Sequence, residues 1–210
     1  MLRWLVPAGI GHSGQVCAAL TRILVPRSRQ QELVSALAKE LAKWRVGDPA
    51  DPGIRLGPLV AERQRDRVES YIRLGTQEGA RLVIGGGRPA GLDRGWFIEP
   101  TVFADVRNDM RIAQEEIFGP VLCVIPFDSV EEAIRLANDS DFGLSGAVFA
   151  DDAALAERIA RRLRTGSVCV NMWNICLTEP FGGFKQSGLG REGGAEGLLP
   201  YLETKLLQGV

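Results

Sequence analysis

Two apolar spacings alternate along the 210 residues: stripes that recur every three or four positions, and short unbroken runs. Ser28 and Gln31 form a capping-box pattern ahead of Leu33, Val34, Leu37, Leu41 and Trp44, which share one helical stripe. Gly47 predicts the end of that helix, and residues 48–58 are rich in turn formers. A second, highly charged helix is predicted between Val60 and Glu78. RLVIGGG at 81–87 reads as a buried strand breaking at a glycine turn, and VLCVIPF at 121–127 as a strand covered on both faces. Ser129 and Glu132 cap a short helix carrying Val130, Ala133, Ile134 and Ala137. GLSGAVFA at 143–150 and GSVCVNM at 166–172 predict two more strands. Between them a helix starts at Asp151 or Asp152 and runs through Leu155, Ile159 and Leu163. Strand and helix in alternation predict an α/β fold with an open, largely parallel sheet and flanking helices. No repeat and no low-complexity linker interrupts the chain, so one compact domain is expected.

Composition narrows the function classes. A hydrophobic share of 45% and a charged share of 24% are those of a soluble globular protein. With 25 basic and 26 acidic residues, no field steers nucleic acid or an anionic membrane, and neither is an expected partner. The opening MLRWLVPAGIG is too short to span a membrane and makes a poor signal peptide. Four cysteines without a C-x-x-C pair, and a single histidine, predict no metal site and a reducing, cytoplasmic compartment.

GIGHSGQVCAALTR at 9–22 carries the candidate chemistry and supports two readings. Gly9, Gly11 and Gly14 spell G-x-G-x-x-G, which cradles a pyrophosphate when a strand precedes it and a full helix follows. MLRWLV passes as that strand, but few residues separate Gly14 from ILVP, and Arg27 or Arg29 stands where a ribose carboxylate is needed. The other reading makes Cys17 a nucleophile. A free thiol titrates at about 8.5 and needs activation. A glycine turn opening into a helix places Cys17 in the first turn, where backbone N–H groups and the helix dipole favour thiolate and stabilise an oxyanion. A buried structural cysteine is the alternative, and the spacing leaves both open. His12 suggests a Cys–His hydrolase, though five residues of glycine-rich turn assure no contact and no orienting partner is evident. Cys123 and Cys169 lie in strand runs and read as core; Cys176 is undetermined.

G-Q-V-C at 14–17 with Arg22 resembles the catalytic-cysteine segment of the NAD(P)-dependent aldehyde dehydrogenase superfamily. EEIFGPV at 115–121, NDSDFGLSGAVF at 138–149 and PFGGFKQSGLGRE at 180–192 are similar to further family signatures, and YLETK at 201–205 to its terminal strand. The motifs keep the family's order and cover nearly the whole chain. The resemblance implies that Cys17 attacks an aldehyde to give a thiohemiacetal. Hydride transfer to NAD or NADP then leaves a thioester that water hydrolyses. It also implies that Glu116 hydrogen-bonds the nicotinamide-side ribose, that Phe118 packs by the nicotinamide, and that Phe181 walls the substrate pocket. Residues 1–192 would be a partial catalytic domain, and 193–210 a tail offering an oligomerisation contact in a homo-oligomer. The family's cofactor domain, its E-L-G-G-K-like segment with the general base and its oxyanion-hole asparagine have no counterpart in this sequence. The expectation is a fragment or truncated frame, inactive alone, with apolar surface left uncovered. A non-catalytic assembly partner that keeps the fold is the alternative, and a thiol esterase a third.

Overall fold

Burial that switches sides at each residue of 121–125 organises the first of two units, Met1–Ser140 and Asp141–Val210. The computed structural model describes residues 1–176 and 178–209. In the first unit the order is helix α1 (Leu2–Ile10), strand β1 (Arg22–Pro26), helix α2 (Gln30–Leu41) and helix α3 (Glu62–Gln77). Strands β2 (Arg81–Ile84) and β3 (Thr101–Ala104), a one-turn helix α4 (Arg111–Gln114), strand β4 (Val121–Phe127) and helix α5 (Val130–Asn138) follow. The sheet order is β1-β4-β3-β2, with β4 parallel to both neighbours and β2 antiparallel to β3. This is the expected open, largely parallel α/β sheet.

Successive strand residues face opposite sides of a sheet. Val121, Cys123 and Ile125 therefore join Val68 and Ile72 of α3, with Phe103 and Ile112, in one buried cluster. Leu122 and Val124 join Val6 and Ile10 of α1 and Leu37 and Leu41 of α2 in the other. Strand β4 is covered on both faces, as its unbroken apolar run predicts.

Three local expectations need correction. RLVI at 81–84 is an edge strand, with Leu82 40% exposed, because only β3 pairs with it. Ser28 caps nothing: it lies in a 3-10 turn, Arg27–Arg29, and α2 begins behind it. That helix ends at Leu41, well before Gly47, although Trp44 still packs on the second cluster. At α5 the predicted cap is real. The Glu132 N–H donates to Ser129 Oγ at 3.2 Å, and Glu132 Oε2 accepts from the Asp128 N–H at 2.7 Å.

Arg22, at the start of β1, reaches the last turn of α5. Its guanidinium donates to Leu136 O at 2.6 Å and to Asn108 Oδ1. Burial lowers its pKa, and the nearby Asp139 carboxylate opposes that shift. A cation suits the exposed carbonyls of a helix C-terminus.

The second unit holds β5 (Phe142–Gly143), β6 (Ser145–Val148), helix α6 (Ala153–Ala160), β7 (Ser167–Val170) and β8 (Phe184–Lys185). Strands β6 and β7 pair in parallel, and β5 and β8 antiparallel. Asp152 caps α6, accepting from the Leu155 N–H at 3.0 Å. YLETK is not a strand here: Tyr201 ends a 3-10 turn, and no strand lies beyond it among the described residues. A strand requires a partner backbone, and this segment pairs with none. Among the described residues, no helix is long and apolar enough to cross a membrane.

The two serines, one a cap and one not, make a paired test. Ser129→Ala is expected to cost about 1 kcal/mol of unfolding free energy and Ser28→Ala less than about 0.5 kcal/mol, measured by urea denaturation.

Candidate active site

Gly9 lies in the last turn of a helix, and Gly11 and Gly14 follow it: α1 runs into a 3-10 turn at Gly11–Gly14, and a strand comes next. A dinucleotide turn needs the reverse order. MLRWLV is helical because Leu5, Val6, Ala8 and Ile10 are all buried, and burial outweighs local preference. Gly9 and Gly14 serve packing. A Cβ on Gly9 would lie 2.6 Å from Leu122 Cδ2, so its absence lets α1 settle on β4. Gly14 has φ +70°, and a Cβ there would lie 2.0 Å from Gly119 O and 2.7 Å from Pro120 N. Here backbone meets backbone, which joins the cysteine stretch to EEIFGPV.

Cys17 lies three residues beyond this contact. It is exposed, in a turn closed by the Ala19 N–H donating to Val16 O at 3.0 Å. No helix follows, so the expected helical first turn is absent. Strand β1 must start at Arg22 to pair in register with Cys123, which leaves too short a span. The N–H of the exposed Cys17 meets no backbone acceptor among the described residues, and a free donor of this kind suits an oxyanion.

Helix α3 and the segment leading into it hold both loops. The Ser13 hydroxyl donates to Gly57 O at 2.8 Å, and the Val60 N–H donates to Gln15 Oε1 at 2.9 Å. The Gln64 amide donates to Ile117 O at 3.1 Å and to Phe118 O at 2.7 Å. Gly119 lies against Val68, whose Cγ2 would be 2.4 Å from an added Cβ. His12, Ser13 and Phe118 adopt left-handed backbone with φ of 53°, 56° and 59°. Such non-glycine residues cost about 1 kcal/mol or more each and persist only where their surroundings hold them. The imidazole of His12 makes no hydrogen bond to Cys17.

Charge organises the strip around Glu115 and Glu116. The Arg111 guanidinium donates to both Glu115 oxygens at 2.6 and 3.1 Å, and the Tyr71 hydroxyl donates to the same carboxylate at 2.5 Å. Together they hold Glu115 down to about 2, Arg111 contributing most. Burial, then the Glu115 bond, raises the Tyr71 phenol. Arg67 donates to the Glu116 backbone oxygen at 2.5 Å and lies 4.9 Å from the Tyr71 ring centre. The Glu116 side chain is exposed and meets no partner among the described residues, and Phe118 is half-buried. Gln64, Arg67, Tyr71 and Arg111 carry no motif. Only the charge density of the predicted helix hints at three of them.

The other cysteines sort by burial. Cys123 is core, and burial pushes its thiol up to about 12. Cys169, expected in the core, is half-buried because its strand belongs to a two-stranded pair. Cys176 is exposed, and the Thr178 hydroxyl, 3.2 Å away, lowers its thiol pKa. In the second unit Phe181 is half-buried and bridged to Glu192 through N–H···O bonds of 2.6 and 2.7 Å. Arg191 ties that loop by donating to Gly183 O at 2.9 Å.

Two measurements follow from this geometry. Gly14→Ala is expected to destabilise the chain by about 2 kcal/mol or more, since it adds left-handed strain and a backbone clash. A free glutamate titrates at about 4.3, so the Glu115 pairing stabilises the fold above that pH and loses its effect as pH falls towards about 2. Glu115→Gln should cost at most about 1 kcal/mol at pH 7, because solvent screens this partly exposed pair. The difference from the parent should narrow between pH 4 and pH 2 in urea unfolding.

The model of the aldehyde dehydrogenase family matches residues 1–207. Geranial dehydrogenase of Castellaniella defragrans is 48% identical over 205 residues, covering 98% of this chain and 42% of that protein. An aldehyde dehydrogenase of Mycobacterium tuberculosis, solved with NAD+, superposes with a TM-score of 0.94 at 52% identity, over 95% of this chain and 41% of that one. Betaine aldehyde dehydrogenase of Staphylococcus aureus, also solved with NAD+, gives a TM-score of 0.94 at 42% identity, over 97% and 41%. This chain thus spans no more than 42% of the length of these relatives. Matched along nearly all of its own length in both sequence and fold, the chain belongs to the aldehyde dehydrogenase family.

Proposed function

We propose that this chain carries the catalytic-cysteine part of an NAD(P)-dependent aldehyde dehydrogenase, with Cys17 as its nucleophile. The observation that supports this reading is an exposed thiol three residues from a backbone contact with the strip bearing Glu116 and Phe118. The Cys17 sulfur adds to the carbonyl of a small aldehyde to form a thiohemiacetal, and the free N–H of Cys17 is available to its oxyanion. NAD(P), when bound, would supply the hydride acceptor, leaving the acyl group on Cys17 as a thioester. Water hydrolyses the thioester, which releases the carboxylic acid and restores the thiol.

The residues present fit the nicotinamide end of such a cofactor. The exposed Glu116 carboxylate has free oxygens that can accept from both ribose hydroxyls. Phe118, fixed by the Gln64 amide, supplies an aromatic surface beside it. Phe181 is assigned to the wall of the substrate pocket. We assign residues 1–192 to the catalytic portion and 193–210 to an assembly contact. The exposed Leu198, Leu199, Tyr201, Leu202, Leu206 and Leu207 favour that contact and, as a second reading, an assembly partner that keeps the fold without turnover. Four unpaired cysteines support a cytoplasmic setting.

The general base and oxyanion asparagine implied by the resemblance are not among these 210 residues. Each typically contributes ~10² or more in rate. The polypeptide alone is therefore expected to acylate without oxidising aldehydes. With p-nitrophenyl acetate it should release a burst of about one equivalent of p-nitrophenol, kept in Cys176→Ser and lost in Cys17→Ser. A burst that survives Cys17→Ser overturns the assignment, and NADH formation from aldehyde and NAD+ overturns the expected inactivity.

A further inference from the structure

Outside the cysteine loop, α3 and α4 enclose a groove of about 510 Å3 lined by Arg67, Ser70, Tyr71, Arg73, Leu74, Gln77 and Arg111. Three guanidinium groups thus face one space. Like charges gathered this closely repel one another, so either each is neutralised from within the chain or the space favours an anion.

Internal neutralisation is incomplete. Arg111 spends Nε and one terminal nitrogen on Glu115, and its other terminal nitrogen has no partner. Arg67 uses a single nitrogen, which donates to the Tyr71 hydroxyl and to Glu116 O. Arg73 makes no hydrogen bond or ion pair among the described residues, and Gln77 makes none either. The nearby carboxylates compensate these charges only in part: Glu69 pairs with Arg88 and Arg65 and acts on Arg73 only through space, Glu78 accepts from the Arg111 backbone N–H, and Glu115 pairs with Arg111 and Tyr71. A carboxylate accepts through two oxygens, whereas a phosphate monoester presents three terminal ones, which suits forks arriving from three side chains. The Tyr71 ring and Leu74 leave an apolar wall for an organic remainder, and the volume lies in the range of small-molecule sites. On a chain of net charge −1, a nucleic acid backbone is a poorer match.

We propose that this groove binds a small phosphate-bearing anion, with Arg73 as its dedicated contact and the free donors of Arg67 and Arg111 completing the clamp. This does not depend on the chemistry assigned to Cys17. Occupancy bears on the neighbouring strip, because the anion competes with Glu115 for Arg111.

Calorimetric titration of the 210-residue chain at ionic strength held constant with sodium chloride tests it, using inorganic phosphate and glucose 6-phosphate in separate arms. Saturable binding in the millimolar range or tighter is expected in at least one arm. Tighter binding of glucose 6-phosphate indicates a monoester ligand; equal binding indicates that the anion head suffices. Arg73→Ala, at an exposed position, should weaken binding about tenfold while leaving the melting temperature of the unliganded chain unchanged, and Arg73→Lys should lie between. Glu115→Gln should tighten binding several-fold by freeing Arg111. The proposal is overturned if neither phosphate saturates, or if Arg73→Ala binds as the parent does.

Discussion

The candidate site depends on a contact between two peptide backbones. Gly14 and Gly119 approach so closely that no side chain fits between them, and Gly119 is backed by the core. Gly119 lies against Val68 of α3, and the cysteine loop is hung from Gly57 and Val60 just ahead of that helix. The loop therefore has three supports: the sheet through Gly9, the strip through Gly14, and the α3 entry through Ser13 and Gln15. A thiol on a free surface loop would sample many positions. Here the three residues before it are fixed, at the cost of left-handed backbone at His12 and Ser13.

Electrostatics complete what packing begins. A strip carrying adjacent Glu115 and Glu116 should repel itself, yet the two carboxylates have different environments. Glu115 is locked between Arg111 and Tyr71 and stays ionised far into acid, while Glu116 keeps its oxygens free and is held only through its backbone carbonyl by Arg67. One carboxylate anchors, and the other remains available. The division follows from reach: Glu115 meets side chains of both α3 and α4, whereas Glu116 meets α3 only through its backbone.

Much of the sheet was legible from spacing. Val121–Phe127 announces a strand buried on both faces because seven apolar residues in a row leave no face for water. The Ser129 and Asp152 caps are legible because a hydroxyl or carboxylate accepting the N–H three residues on is local chemistry. The opening was misread because α1 is helical through burial against Leu122, a partner far away in sequence. The same holds for the edge position of 81–84 and the unpaired state of 201–205, since pairing is a property of two segments. At the site, Cys17 was a candidate from its glycine-rich setting, which left a structural role open, whereas Glu116, Phe118 and Phe181 were reached through resemblance. Gln64, Arg67, Tyr71 and Arg111 were not, because arginines on a polar helix look like solvent-facing charge until the loop they grip is placed beside them.

Arg22 has a dynamic consequence. Its half-buried cation links the first residue of β1 to Asn108 and to the closing carbonyls of α5. Peeling away either acceptor segment would leave this half-buried guanidinium short of partners, a larger penalty than the fraying of an ordinary helix end. The three should therefore open together, so their slowest-exchanging amides would share one protection factor and mark a single cooperative foldon spanning the sheet edge.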